Sequence, residues 1–421
     1  MRTYLLIILF VVLSSQLYSQ QGWQYQNSNL TIQNQYGAIF PINKDTVYVI
    51  ADNGKFLKTY DGGTVWVEQN TGLSESFFDL SFSGNDTAYA VGLNGAIIKS
   101  INEGTNWTSL TSGTSQDLFS IYINSQNNIW AVGDSGVILN SNDFGNTWLI
   151  NDTLTDKKLN SIYFKNANIG FIAGNDGTLF STSNGGINWD TVNIGTSKDL
   201  FSITITDNYA YLLAGWINDY YYDSDEFFQT NDYINWTGNY LEASIPGLSK
   251  LYFPSDSSGF CIFSNCTTNG DCGIIINKTT DFGQNWVSSF NNWSLPSSVG
   301  IAYSDIVFIT DSIGYVLSGN NILKTTDGGV FVGIKELNNN PDFTIYPNPS
   351  YSNELNIKLI NAEFSNFSIK IFDINGKLTL KRTNLNSVEK INISNLNEGV
   401  YFVKLLKEGE IIDVKKLVKM K

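Results

Sequence analysis

A hydroxyl residue, an Asp two positions on, a Gly two beyond that and a closing Trp stand at fixed offsets in SNDFGNTW at residues 141–148. Related segments begin at Thr59 (TYDGGTVW), Ser100 (SINEGTNW), Thr182 (TSNGGINW), Thr230 (TNDYINW, one residue short), Thr279 (TTDFGQNW) and Thr325 (TTDGGVFV, with Val332 in place of Trp). The seven starts lie 41, 41, 41, 48, 49 and 46 residues apart. A period in the forties with short alternating apolar runs between markers is the sequence form of four-stranded propeller blades. The larger part of the chain is therefore expected to be all-β, a seven-bladed β-propeller.

The third unit shows how each repeat is parsed. An inner strand DLFSIYI is followed by a second strand IWAVG, a tight turn at Asp134 to Gly136, a third strand VILNS, the marker segment and an outer strand TWLIND. Sister units place Asn53-Gly54, Asn94-Gly95 and Asp176-Gly177 at the same turn, dipeptides that favour the positive-φ pair of a two-residue hairpin. In the marker, the acceptors are Asp61, Asn102, Asp143, Asn184, Asp232, Asp281 and Asp327. Each is expected to take backbone N–H bonds at the turn between third and fourth strands, a folding role, while the Trp packs near the blade edge. The marker resembles the Asp-box (BNR) repeat of sialidase-like, sortilin-like and photosystem II assembly factor-like propellers, and that resemblance implies that the box lies away from the binding face.

Trp23 sits in GWQYQN ahead of the first full unit, whereas the last box lacks its Trp. This arrangement predicts that the N-terminal strand completes the seventh blade, so that no sheet edge stays open.

Arg2, an apolar run from Leu5 to Leu13 and small polar residues through Ser19 have the three-part layout of a secretory signal peptide, read here as residues 1–19. The propeller is placed at 20–337 and a linker at 338–342. Between Gln20 and Asp342 there are 12 Lys, no Arg and 31 acidic residues, so nucleic acid and anionic membranes are poor partners for the ring. The three cysteines fall within twelve residues; a Cys266–Cys272 bridge across a hairpin loop is expected, with Cys261 a buried thiol.

From residue 343 to 421 the text changes to five β-like stretches and a basic balance, 12 cationic residues against 8 acidic. Tyr346-Pro347-Asn348-Pro349, the turn Asp373-Ile374-Asn375-Gly376-Lys377, Gly399-Val400-Tyr401 and the basic end at Lys415, Lys416 and Lys419 follow one another in order. This segment resembles the type A C-terminal sorting domain of type IX secretion cargo of Bacteroidetes. The resemblance implies a small Ig-like β-sandwich, the type IX machinery as partner, and a product released or held at the outer cell surface. Five Asp-Ser/Thr-apolar triplets, beginning at Asp45, Asp86, Asp152, Asp190 and Asp311, look like the O-glycosylation signal of that phylum.

Missing residue classes exclude much chemistry. The chain contains no His, so no Ser-His-Asp triad, Cys-His pair or imidazole-bound metal can be built. Its only arginines, Arg2 and Arg382, lie outside the ring, which removes the arginine cluster of sialidases. A glycosidase needs only two carboxylates; Asp134 and Asp176 illustrate the supply, though turn formation explains both. No catalytic residue, metal site or cofactor is assigned.

Departures from the 41-residue period carry the functional reading. Second-to-third-strand loops and blade-to-blade loops open on one face of a propeller. The fifth unit is lengthened there by residues 216–228, the sixth by the 266–272 loop, and the seventh, before its inner strand, by residues 290–298. These insertions hold Trp216, Tyr220, Tyr221, Tyr222, Asp223, Asp225, Glu226 and Trp293. Aromatic faces beside carboxylates suit sugar rings or a cationic peptide. A calcium site from Asp219, Asp223, Asp225 and Glu226 matches no defined loop spacing and is not assigned. The expectation is a monomeric, exported propeller that binds an extracellular glycan or protein; a carboxylate-dependent glycoside hydrolase or lyase, and a structural or assembly protein, are the alternatives.

Overall fold

Asn53, Asn94, Ser135 and Asp176 all take left-handed φ near 55° and are each followed by a positive-φ glycine. A turn with both central residues at positive φ matches the twist of the strands it joins, and so the second and third strands of the first four repeats fold back as tight hairpins. The computed structural model describes residues 22–28, 30, 37–125, 128–151, 154–215, 226–240, 248–266, 272–295, 304–329, 343–359, 367–373, 377–383, 385–407 and 410–420. The chain divides into two compact units at Phe331 and Val332. The proposed signal peptide and linker lie outside the described residues. Among those described, no helix is long and apolar enough to cross a membrane.

The first unit contains seven antiparallel sheets of four strands, as the repeat count predicts. In six of them the strands follow chain order, for example Phe77–Ser83, Thr87–Gly92, Ile97–Ser100 and Thr108–Leu110 in the second blade. The seventh blade is composite. Ser304–Phe308, Gly314–Ser318 and Asn321–Thr325 supply three strands, and Gln24–Gln26 pairs with the third of these as the outer strand. Ring closure is visible in the core too: Ile39, Val47, Val49 and Leu57 of blade one pack with Tyr315, Leu317 and Ile322 of blade seven.

Trp23 takes the place of the Trp that the last box lacks. It is 1% exposed, stands edge-on to Phe260 and Phe308, and donates from Nε1 to Ser289 Oγ at 3.0 Å. Complete boxes use their own Trp in the same way against the preceding blade: Trp107 meets Phe56, Trp236 meets Phe171 and Trp286 meets Phe227, each edge-on.

The full-length boxes share one hydrogen-bond pattern, which the shorter fifth box shifts by one residue, Thr230 Oγ1 accepting from Tyr233 N and Asp232 Oδ1 from Asn235 N. In the third, Ser141 Oγ donates to Asp143 Oδ1 (2.9 Å) and accepts from Gly145 N (2.8 Å), while Asp143 Oδ1 accepts from Thr147 N (2.8 Å). Asn102 and Asn184 accept from Asn106 N (2.9 Å) and Asn188 N (3.0 Å), so amide and carboxylate serve equally as caps. Backbone N–H groups of Val65, Thr147 and Asn235 hold Asp61, Asp143 and Asp232 below the usual carboxylate range. A folded-state pKa depressed below the unfolded value of about 3.9 contributes stability that is full above that pH and is lost as pH falls toward the folded values. The melting temperature is therefore expected to fall steeply below about pH 4. Replacing these three residues by Asn should flatten that fall, measured by thermal scans at pH 3 and pH 7; an unchanged slope would show that the boxes do not drive it.

The hub solves a different problem. An inner strand has no neighbour on its channel side, so its outward N–H groups need acceptors. One aligned position supplies them: Ala38, Asp79, Ser120, Ser161, Ser202, Lys250 and Asp305, in blades one to seven. Asp79 Oδ2 accepts from Ile121 N (2.8 Å), Ser120 Oγ from Ile162 N (3.4 Å), Ser161 Oγ from Ile203 N (3.4 Å), Ser202 Oγ from Leu251 N (3.3 Å) and Asp305 Oδ2 from Ile39 N (3.0 Å). Ala38 and Lys250 cannot accept. After each of them the next blade's Asp caps its own strand, Asp79 Oδ1 from Leu80 N (2.9 Å) and Asp305 Oδ1 from Ile306 N (3.0 Å). A bulge immediately before this position in blades two to six sets the side chain's aim.

The second unit is a sandwich of two antiparallel sheets, Phe343–Tyr346, Glu354–Leu359 and Val388–Asn392 in one, Leu378–Thr383, Phe367–Asp373, Gly399–Lys407 and Glu410–Lys419 in the other. Leu355, Ile357, Ile369, Ile371, Val403 and Leu405 fill its core, the inward positions of alternating strands. Asn348 of the Tyr346-Pro347-Asn348-Pro349 motif accepts from Val418 N at 2.9 Å and donates to Lys416 O at 2.6 Å, tying the motif to the final strand.

Candidate functional site

Two kinds of connection meet on one face of the ring. Asp134 N and Asn175 N, in second-to-third-strand turns, donate to the backbone oxygens of Asp117 and Lys158 in blade-to-blade segments, both at 2.8 Å. Asp117 Oδ1 accepts from Asn94 N (2.8 Å) and Asp199 Oδ1 from Asp176 N (3.0 Å) in the same relation. On the opposite, box-bearing face, Lys58, Lys99, Lys278 and Lys324 donate to backbone oxygens of the next blade's box at 2.6–3.0 Å. These lysines are structural staples, consistent with the box face being scaffold.

The regular turns stop at blades five and six. The second strand of blade five ends at Gly215 and the third begins at Glu226; in blade six the corresponding ends are Cys266 and Cys272. Trp216, Tyr220, Tyr221, Tyr222, Asp223 and Asp225, with the calcium candidate Asp219, lie outside the described residues. Glu226 is described: it opens the third strand of blade five and pairs with Lys198 at 3.3 Å, both side chains largely buried. Among the described residues no cluster of three or more metal-ligating side chains occurs.

Blade six has the longest second and third strands described in the ring, Gly259–Cys266 and Cys272–Thr279. Among the described residues its second strand pairs with the inner strand as far as Phe263, opposite Leu248, and with the third strand as far as Cys266. Here the structure corrects the position of one insertion. Residues 290–295 belong to the outer strand of blade six, Val287–Leu295, rather than to a loop before blade seven. Phe290 is 4% exposed in the core, and Asn292 donates to Tyr25 Oη at 2.6 Å. Trp293 falls on this strand at a register shift between Asn292 and Leu295, because the long hairpin of blade six gives it a partner to pair with. Cys266 and Cys272 occupy directly opposite positions on that hairpin, and Cys261 is buried in the adjoining strand.

Asp134 and Asp176 act as turn residues: Asp134 Oδ1 accepts from Ser135 N (3.0 Å), and Asp176 pairs with Lys157 at 2.7 Å. Sequence reasoning missed the bulge residues Phe78 and Phe119, half-buried where the inner strands begin on this face. Their rings lie 5.0 Å apart, and Lys158 Nζ sits 3.7 Å from the centroid of Phe119. Burial pulls Lys158 down from the ordinary lysine range, against the attraction of Asp134, Asp117 and Asp199. The available signal was the apolar residue placed directly before the hub position in two successive repeats, FFD and LFS, where strict alternation calls for none.

Comparison with known proteins bears on both units. Residues 344–420 match the family model of the secretion system C-terminal sorting domain, and residues 111–183 that of the photosynthesis system II assembly factor YCF48. Among solved structures, YCF48 bound to D1 peptide is similar at 15% identity and TM-score 0.55, over 74% of this chain and 96% of that one. PorZ, a surface component of the type IX secretion system of Porphyromonas gingivalis, is similar at 11% identity and TM-score 0.51, over 96% of this chain and 59% of its own length. An ancestral GH74 enzyme is similar at 13% identity and TM-score 0.53, over 95% and 64%. These likenesses concern the fold. No curated protein sequence matches the chain.

Proposed function

We propose that this chain, a BNR/YCF48-like propeller carrying a type IX C-terminal sorting domain and so delivered to the cell surface or beyond, binds an extracellular glycan or protein ligand on its elaborated face. The observation that carries the reading is the concentration of irregularity. Blades one to four close this face with tight turns, whereas blade five has a ten-residue connection at 216–225 and blade six a lengthened hairpin. A scaffold kept regular by boxes and hub bonds has no structural need for aromatic- and carboxylate-rich additions on one rim. The sequence puts Trp216, the tyrosines 220–222, Asp223 and Asp225 in the first of these connections, and Trp293 falls on the outer strand of the lengthened blade six. A Cys266–Cys272 bridge would fix the end of the lengthened hairpin.

That a propeller of this type is held in complex with a peptide supports a protein ligand. The acidic surplus of the ring, 31 carboxylates against 12 lysines, favours a cationic one over an anionic one. The sorting domain supplies the second partner, the type IX machinery, through residues 343–421.

The test is a glycan and peptide array probed with wild type, Trp216→Ala and Trp293→Ala. Removing an aromatic anchor from a binding face typically costs 2 kcal/mol or more, roughly a thirtyfold loss of affinity. Binding indifferent to both substitutions would remove the proposed face. Release of reducing sugar from a polysaccharide panel would replace the binding reading with the hydrolase one.

A further inference from the structure

On the larger sheet of the second unit, Ile369, Ile371, Val403, Leu405 and Leu417 point into the core, so the residues that alternate with them form the outer face. The register arranges that face in two rows. In one, Lys381 stands opposite Lys370, Lys370 opposite Lys404, and Lys404 opposite Val414. In the next, Leu378 stands opposite Phe372, Phe372 opposite Phe402, and Phe402 opposite Lys416. Lys381, Lys416 and Leu378 are exposed, and Lys370, Lys404, Phe372 and Phe402 partly so. Like charges directly opposite one another weaken a sheet, whose strands lie only about 4.8 Å apart. Among the described residues no carboxylate comes within ion-pair distance of Lys370, Lys381, Lys404 or Lys416; the ion pairs described in this unit join Arg382 to Glu389 and Lys390 to Glu354. Lys404 Nζ lies 4.9 Å from the ring centroid of Phe372, a contact that binds cation and aromatic into one surface. The repulsion along the lysine row is not offset by any acid within the described unit.

We propose that this face docks on a phosphate-bearing lipid surface, the lysines meeting headgroup phosphates while Leu378, Phe372 and Phe402 settle among the headgroups. Charge complementarity selects an anionic partner, and two further features select a lipid one. All four cations are Lys, point charges without the fork that grips a paired carboxylate, so the face suits diffuse phosphates more than the placed acids of a protein. Its apolar side chains lie beside the cations on a strand face and not in a pocket, the arrangement in which lysine stems and aromatic rings share a membrane interface. The sorting domain brings the chain to the cell surface, where such lipid is met. None of these residues belongs to the propeller, so the inference stands or falls apart from ligand binding at blades five and six.

The test is flotation of the chain from residue 20 to 421 with vesicles of phosphatidylcholine alone and of an equal mixture of phosphatidylcholine and phosphatidylglycerol. The mixed vesicles are expected to bind about tenfold or more tightly, and less so as salt is raised. Each lysine near an anionic surface changes affinity by about fivefold, so Lys370→Gln combined with Lys404→Gln should cost roughly twentyfold. The same double variant should melt no lower than the wild type, because it removes a repulsion. Lys358→Gln combined with Lys390→Gln takes equal charge from the other sheet and should leave most of the binding intact. No preference for the mixed vesicles, equal losses from the two double variants, a lower melting temperature for the Lys370 and Lys404 pair, or tighter binding to soluble polyglutamate than to the vesicles would each overturn the assignment.

Discussion

Trp23→Ala is expected to destabilise the propeller by about 3–5 kcal/mol, the usual cost of emptying a buried Trp site. Deleting residues 20–29 is expected to abolish cooperative unfolding of the ring. The two variants separate two contributions. Trp23 packs edge-on between Phe260 of blade six and Phe308 of blade seven, so its loss opens one interface while the backbone pairing of Gln24–Gln26 survives. Removing the segment also strips the outer strand from Asn321–Thr325 and leaves an open sheet edge beside an unfilled cavity. Trp23→Phe should fall between wild type and alanine, since it keeps most of the ring contact but loses the Nε1 bond to Ser289. Chemical denaturation followed by far-ultraviolet circular dichroism reads all three. A deletion variant with an unchanged transition would mean that blade seven is complete without its N-terminal strand.

Why this closure was legible in the sequence, and the hub was not, follows from the kind of signal each leaves. A box repeats as a contiguous string, and one missing Trp at Val332 with one surplus Trp at position 23 is an imbalance that a count exposes. The paired positive-φ turns were equally open to reading, because Asn-Gly and Asp-Gly have few other uses. The hub position is chemically heterogeneous, Ala, Asp, Ser, Ser, Ser, Lys and Asp, and each residue alone looks like a solvent-facing site in a strand. Asp79 and Asp305 belong to the acidic surplus of the ring in the sequence, yet both are backbone acceptors on the inner strands. Only alignment of the seven inner strands, with the bulge that precedes the position in five of them, shows one task shared by different side chains. Trp293 was misplaced for a related reason. A strand that runs past the edge of its sheet reads as an insertion, since the text of the unit does not say that its neighbour was extended to match.

Asp305→Ala is expected to cost about 3 kcal/mol or more, the largest effect of any single polar substitution in the ring. Asp305 closes the belt where the last blade meets the first: Oδ2 accepts from Ile39 N at 3.0 Å, and Oδ1 accepts from Ile306 N at 3.0 Å. Oδ1 also faces Lys250 Nζ at 3.5 Å. Lys250 is ringed by protein yet keeps 35% of its side chain open, as suits a group standing in the central channel. Burial works against its charge, but Asp305 and Asp79 outweigh it and hold Lys250 above the ordinary lysine range. Two explanations of a large loss then compete, the ion pair and the backbone caps, and Lys250→Met separates them. A partly open ion pair is worth about 1 kcal/mol or less, so exchanging the lysine for an apolar residue of similar length should change stability little. Asp305→Asn should be intermediate, because one amide oxygen can cap one N–H well but not two on opposite sides. Should Lys250→Met prove as damaging as Asp305→Ala in urea titrations, the charge pair and not the circumferential belt would be what holds blade seven to blade one.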